Sequence, residues 1–210
     1  MPASATIVWF RQDLRLQDNP ALLAALARGG PVVPVYIHDA EAGGDWASGG
    51  ATRWWLHHSL AALGAELRSR GSRLILGRGE VASLLRDWVR VTGASAVYWN
   101  RGYEPAAIAR DKTLKAALTS EGIEVKSFNA ALLNEPHTIA NKQGRPFQVF
   151  TPCWRHCLTL PVAAPESCSA RTFPAPERWP VSVELDECRL LPRIPWDQGM
   201  RDTWTPGEAG

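Results

Sequence analysis

Apolar residues fall along the first two-thirds of this chain in short runs, separated by longer stretches of helical periodicity. The runs at residues 7–10, 32–37, 74–76, 96–99 and 125–128 read as strands. The first of them, Ile7-Val8-Trp9-Phe10, has the uninterrupted apolar character of a strand buried on both faces. Residues 20–27, 51–70, 81–91 and 106–120 read as helices. In the second of these, Leu56, Leu60, Leu63 and Leu67 recur about one turn apart and form an apolar stripe. Asn19 and Pro20 supply an N-cap and a first-turn proline for the first helix. Gly29, Gly71, Gly93 and Gly122 follow the helices where a left-handed C-terminal residue is needed. Strand and helix alternating with right-handed crossovers predict an α/β fold. The expected form is a Rossmann-like, doubly wound parallel sheet of five strands in the order 3-2-1-4-5, followed by an irregular linker.

In that order the switch point lies between the first and fourth strands, and open α/β sheets bind ligands at the carboxyl ends of strands there. Two loops would line the cleft. Residues 11–18 bring Arg11 and Asp13, and residues 100–104 bring Asn100, Tyr103 and Glu104. Glu104 precedes Pro105 at the start of a helix, so its charge can simply favour the helix dipole. Alternatively, it accepts hydrogen bonds from the N–H groups of a bound heterocycle. The sequence leaves both readings open.

The rhythm stops near residue 129. Residues 130–148 read as irregular, and residues 149–160 allow a short helix after Pro152. Beyond Pro161, prolines recur at Pro165, Pro174, Pro176, Pro180, Pro192, Pro195 and Pro206, as in a linker or an arm lying on another surface. Thr205 and Pro206 look like the start of a further helix, as expected of a piece of a longer protein. The expected division is an α/β domain over 1–130 and a linker region over 131–210.

A formal net charge of +2 marks no polyanion binder, and 45% hydrophobic residues suffice for a full core. No apolar run approaches the ~20 residues of a membrane helix, and the amino terminus lacks a signal-peptide pattern. A cytoplasmic monomer with no membrane contact is the expectation. The four cysteines form no Cys-x-x-Cys pair, so neither zinc nor a redox framework is expected, although His156 lies between Cys153 and Cys157. Gly77-Arg78-Gly79-Glu80-Val81-Ala82 fits the G-x-G-x-x-A pattern but follows the third strand without an acidic partner about 20 positions on, so a tight turn is the better reading. Adjacent Trp54 and Trp55 cannot both face the sheet; one must lie at the surface. The 10 tryptophans are read as core or interface residues, and no acid, base or nucleophile is expected.

Five stretches resemble the DNA photolyase and cryptochrome family, in particular its class I bacterial photolyases. They are WFRQDLRLQDN (9–19), GGATRWWLHHSLAALGAELRSRGSRL (49–74), AVYWNRGYEPAAIARD (96–111), GRPFQVFTPCWR (144–155) and WTPGEAG (204–210). Cys153 stands where the family usually carries phenylalanine. The resemblance implies an amino-terminal α/β domain able to hold an antenna chromophore, with FAD and damaged DNA bound by a helical domain absent from this chain. In such proteins the antenna passes excitation to reduced FAD, and the cofactor performs the chemistry. Glu104 matches the glutamate that holds the pterin ring in folate-binding members, and Ser48 stands where they use a histidine. Arg53 matches an arginine of deazaflavin-binding members, and Gly102 replaces their aspartate. The resemblance therefore implies a reduced folate ahead of a deazaflavin or flavin mononucleotide. A cryptochrome-type light receptor is one alternative. Another is an independent Rossmann-like nucleotide-binding protein holding ATP or AMP, which would need the linker to pack on its own domain.

Overall fold

A computed structural model describes residues 4–39 and 47–210. Five parallel strands, β1 (Thr6–Phe10), β2 (Val32–His38), β3 (Ile75–Arg78), β4 (Ala96–Asn100) and β5 (Glu124–Phe128), form one sheet in the order β3-β2-β1-β4-β5. The helices α1 (Pro20–Ala27), α2 (Gly50–Ser69), α3 (Val81–Thr92) and α4 (Pro105–Ser120) connect them. This is the expected doubly wound architecture and strand order.

Alternation along β1 divides the core between the two faces of the sheet. Ile7 and Trp9 pack with Leu85 and Trp88 of α3 and with Leu114 and Leu118 of α4. Val8 and Phe10 face the other way, against Ala21, Leu22 and Ala25 of α1 and Leu63 and Leu67 of α2. Every residue of β1 is buried, as a central parallel strand covered on both sides requires. The β1–β4 register, Thr6↔Ala96 through Trp9↔Trp99, sets the two switch-point loops side by side.

The caps follow the sequence. The Asn19 side chain accepts from the Leu22 N–H, and Pro20 opens α1. Gly29, Gly71, Gly93 and Gly122 all adopt positive φ. Trp54 is buried at 1% exposure and Trp55 is 39% exposed, so the pair splits between core and surface. In the Gly77–Ala82 turn, a Cβ on Gly77 would lie 2.7 Å from the Trp88 ring, so the glycine lets α3 approach the sheet. The Glu80 carboxylate accepts from Ala82 N–H and Ser83 N–H at 2.8 and 2.7 Å, filling the helix terminus where a phosphate would sit. The turn is structural.

The proline-rich stretch is an arm folded onto this same domain. Cys168 and Phe173 join the core under α1 and α2, and Cys188 and Leu190 pack with Tyr36, Leu60 and Leu76. Val183 N–H donates to the Leu76 carbonyl, and Leu76 N–H donates to Ser182 Oγ, which covers the free edge of β3. Helix α5 (Phe150–Cys157) takes Pro152 into its first turn, where a missing N–H costs nothing. The helix expected from Thr205 is not formed. A short helix, α6 (Gln198–Thr203), ends before it, and Gly207 turns the chain back at φ 111°.

Candidate functional site

The β1–α1 and β4–α4 loops diverge at the carboxyl ends of their strands and are tied together by one polar network. Asn100 ends β4 and is 4% exposed. Its amide nitrogen donates to Asp13 Oδ2 at 2.5 Å and to Asn19 Oδ1 at 2.8 Å. Its carbonyl oxygen accepts from Ala21 N–H at 3.2 Å. Asp13 also accepts from the Arg11 N–H through its other oxygen, at 2.8 Å. One guanidinium nitrogen of Arg11 donates to both oxygens of Asp111, at 3.0 and 2.9 Å, and the other donates to the Asn100 backbone carbonyl. The guanidinium also lies over the Trp9 ring, 4.9 Å from the centroid, with Arg110 at 5.3 Å from the same ring. Asp111 accepts in addition from Trp99 Nε1 at 3.1 Å.

Three of the six expected site residues, Arg11, Asp13 and Asn100, are therefore brought together. Their polar atoms are committed to this network and tie the two loops together. They make a rigid floor rather than a set of free donors. Asp111 was not foreseen, yet the sequence carries its signal. It lies one turn before Leu114 and two before Leu118 on the buried stripe of α4, and a carboxylate there needs a cationic partner.

The other three lie around this floor. Glu104 is exposed at the start of α4, and its carboxylate makes no capping bond and no side-chain hydrogen bond among the described residues. A Cβ on Gly102 would sit 3.1 Å from Glu104 Oε2 and 3.1 Å from the Ala107 Cβ, so an aspartate there would crowd the glutamate with like charge. Tyr103 turns toward β5. Its hydroxyl lies 2.9 Å from Glu135 Oε1 and 3.1 Å from Asn129 Oδ1, and burial followed by the Glu135 hydrogen bond raises its pKa. Glu135 also pairs with Arg101 and with His137 Nδ1, so Tyr103 belongs to a second cluster, outside the Asn100 network. Arg53 stands exposed in the first turn of α2. It lies within reach of His38 at the end of β2, whose pKa is lowered first by burial, then by Arg78 and Arg53. No group of three or more His, Cys, Asp or Glu side chains able to hold a metal occurs among the described residues.

A five-stranded parallel sheet covered on both faces, with one polar network joining the loops at its switch point, defines a Rossmann-like α/β domain. Comparison with known proteins makes this specific. The profile of the family described as DNA photolyase matches residues 6–177, and the chain belongs to that family. It is 46% identical to a deoxyribodipyrimidine photo-lyase of Agrobacterium fabrum, covering 100% of this chain and 43% of that protein. It is 41% identical to cryptochrome-1 of Arabidopsis thaliana, over 96% of this chain and 30% of that protein. The crystal structure of a class III photolyase from Agrobacterium tumefaciens superposes with a TM-score of 0.93 at 46% identity, over 100% of this chain and 43% of that one. An archaeal photolyase from Sulfolobus tokodaii, solved with two FAD molecules and described as implying a novel light-harvesting cofactor, matches with a TM-score of 0.72 at 27% identity, covering 90% of this chain and 42% of that one. The chain thus spans less than half the length of these relatives. Subgroup is a finer matter than family: the motifs resemble class I members, whereas the Agrobacterium structure is of class III. No helix among the described residues is long and apolar enough to cross a membrane.

Proposed function

We propose that this chain is the light-harvesting α/β domain of a deoxyribodipyrimidine photolyase and that the β1/β4 cleft holds its antenna chromophore. The observation that carries the reading is the exposed Glu104 carboxylate, unpartnered among the described residues, beside the hydrogen-bonded Arg11–Asp13–Asn100 floor. A carboxylate kept free next to fixed neighbours suits a planar heterocycle with adjacent N–H donors, such as the pterin of a reduced folate. The bound groups would supply photon capture and, from reduced FAD in a helical portion of the longer protein, the electron that reopens a cyclobutane pyrimidine dimer in DNA. The chain's own part is to bind and orient. Arg11 and Asn100 hold the two loops at fixed separation, Glu104 accepts from the ligand, and Trp9 and Trp99 back the floor on the sheet side.

The purified chain, titrated with a reduced folate, a deazaflavin and flavin mononucleotide, tests this by absorption and fluorescence. Glu104→Gln should weaken folate binding about tenfold, the loss of one charge-assisted hydrogen bond. Arg53→Ala, away from the Asn100 network, should weaken it less; equal or reversed losses would reject the assignment. A cryptochrome-type light-signalling role is the second reading, favoured by the 41% identity to Arabidopsis cryptochrome-1. The packed arm meets the condition set for an independent nucleotide-binding protein, but membership of the photolyase family favours the antenna reading over it.

A further inference from the structure

The β1–α1 loop, which carries Arg11 and Asp13, is held largely from outside itself. Asp18 N–H donates to the Glu166 carbonyl at 2.8 Å, and Cys168 N–H donates to Gln17 Oε1 at 2.8 Å. On another side the carboxylate of Glu208 takes two consecutive backbone N–H groups: Oε2 accepts from Leu16 and Oε1 from Gln17, both at 2.7 Å. Successive amides converging on one anion form a concave nest, here filled by a side chain 192 positions away. Glu208 is delivered by a turn at Gly207, where φ is 111° and a Cβ would lie 2.8 Å from the Ala62 Cβ of α2.

The contact leads directly to the cleft. The Arg15–Leu16 peptide is a rigid plane gripped at both ends. Its N–H is held by Glu208, and its carbonyl accepts from Asn19 Nδ2 at 2.9 Å. Asn19 in turn accepts from Asn100 Nδ2 at 2.8 Å, and Asn100 also holds Asp13. One peptide unit and one asparagine thus separate Glu208 from the residue that ties the two loops together.

We propose that Glu208 is a positioning residue for the β1/β4 cleft, so that the segment around Gly207 acts as a strap setting where Arg11 and Asp13 meet Asn100. The proposal rests on the chromophore reading only for what the cleft binds, not for the coupling itself. Isotope-labelled chain carrying Glu208→Gln, and separately Gly207→Ala, tests it. Gly207→Ala disturbs the strap without touching the carboxylate. Both variants should raise amide exchange at Leu16 and Gln17 roughly tenfold while exchange in β1 and β4 stays unchanged. Both should also move the side-chain amide resonances of Asn100, which a purely local peg would leave in place. Where the wild-type chain binds a reduced folate, its affinity should fall severalfold in each variant. Faster exchange with unmoved Asn100 resonances would overturn the proposal, as would unchanged affinity in a chain that binds folate. A wild-type chain that binds no chromophore would reject the cleft reading, and the Asn100 response would then decide the coupling alone.

Discussion

Single atoms decide several features at the residue scale. Asn100 uses its side-chain amide group toward Asp13 and Asn19 and its side-chain oxygen toward Ala21 N–H, and so fixes the end of β4 to the β1–α1 loop and the first turn of α1 at once. Asp111 compensates two guanidiniums that share one face of the molecule with Trp9, and without it that charge would lie partly buried and uncompensated. Gly77 owes its place to what it lacks. Replacing it with alanine would set a methyl group 2.7 Å from the rigid Trp88 ring, which is itself 4% exposed. Gly77→Ala should cost about 1–3 kcal/mol in urea unfolding by overpacking. A variant as stable as the parent would mean that α3 can move away from the sheet freely.

At the element scale, the helices start and stop where local chemistry says they should, and α3 shows how. The Glu80 carboxylate caps it through Ala82 and Ser83, and these hydrogen bonds hold the Glu80 pKa below its usual value. Glu80→Gln should destabilise the protein by about 1 kcal/mol at neutral pH. Because the folded pKa is depressed, the advantage of the parent is complete above the ordinary carboxylate range and is lost as pH falls through the lowered folded value. Midpoints of thermal unfolding for the two proteins should therefore converge in acid. A gap that persists at low pH would show that the charge is not the source. The start of α1 and the ends of α1 to α4 were legible because Asn19, Pro20 and the four glycines act within a few residues. The failure at Thr205 has the same physical root: a threonine–proline pair is a helix start only if the next residues are free to follow, and Gly207 and Glu208 are engaged with α2 and the β1–α1 loop.

At the scale of the whole molecule, the arm and the sheet form one unit. Phe173, remote from every strand in sequence, is 3% exposed, packs with Val8 and Phe10's side of the core, and lies beneath the Arg70 guanidinium. Its N–H donates to the Arg70 carbonyl, and Val32 N–H donates to the Pro174 carbonyl at the start of β2. Phe173→Ala should cost about 3–5 kcal/mol, seen as a lowered midpoint of a single denaturation transition. Were the arm a separate appendage, that midpoint would stay where it is. The α/β domain is thus completed by residues that composition alone reads as a linker.

The sequence by itself determined the five strands, the four helices that connect them and their order in the sheet. These rest on apolar periodicity, caps and the handedness of crossovers, all of which act over short stretches of chain. It also set the β1–α1 and β4–α4 loops at the switch point, where Arg11, Asp13 and Asn100, half of the expected residues, join one network. Only the tertiary structure decided that these side chains bond to one another, that Tyr103 turns to Glu135, and that Glu104 is left without a partner among the described residues. It alone placed Glu208 on Leu16 and Gln17. Contacts such as Arg11 with Asp111, 100 positions apart, are chosen by which surfaces the packed core brings together, and that choice leaves no periodic trace along the chain.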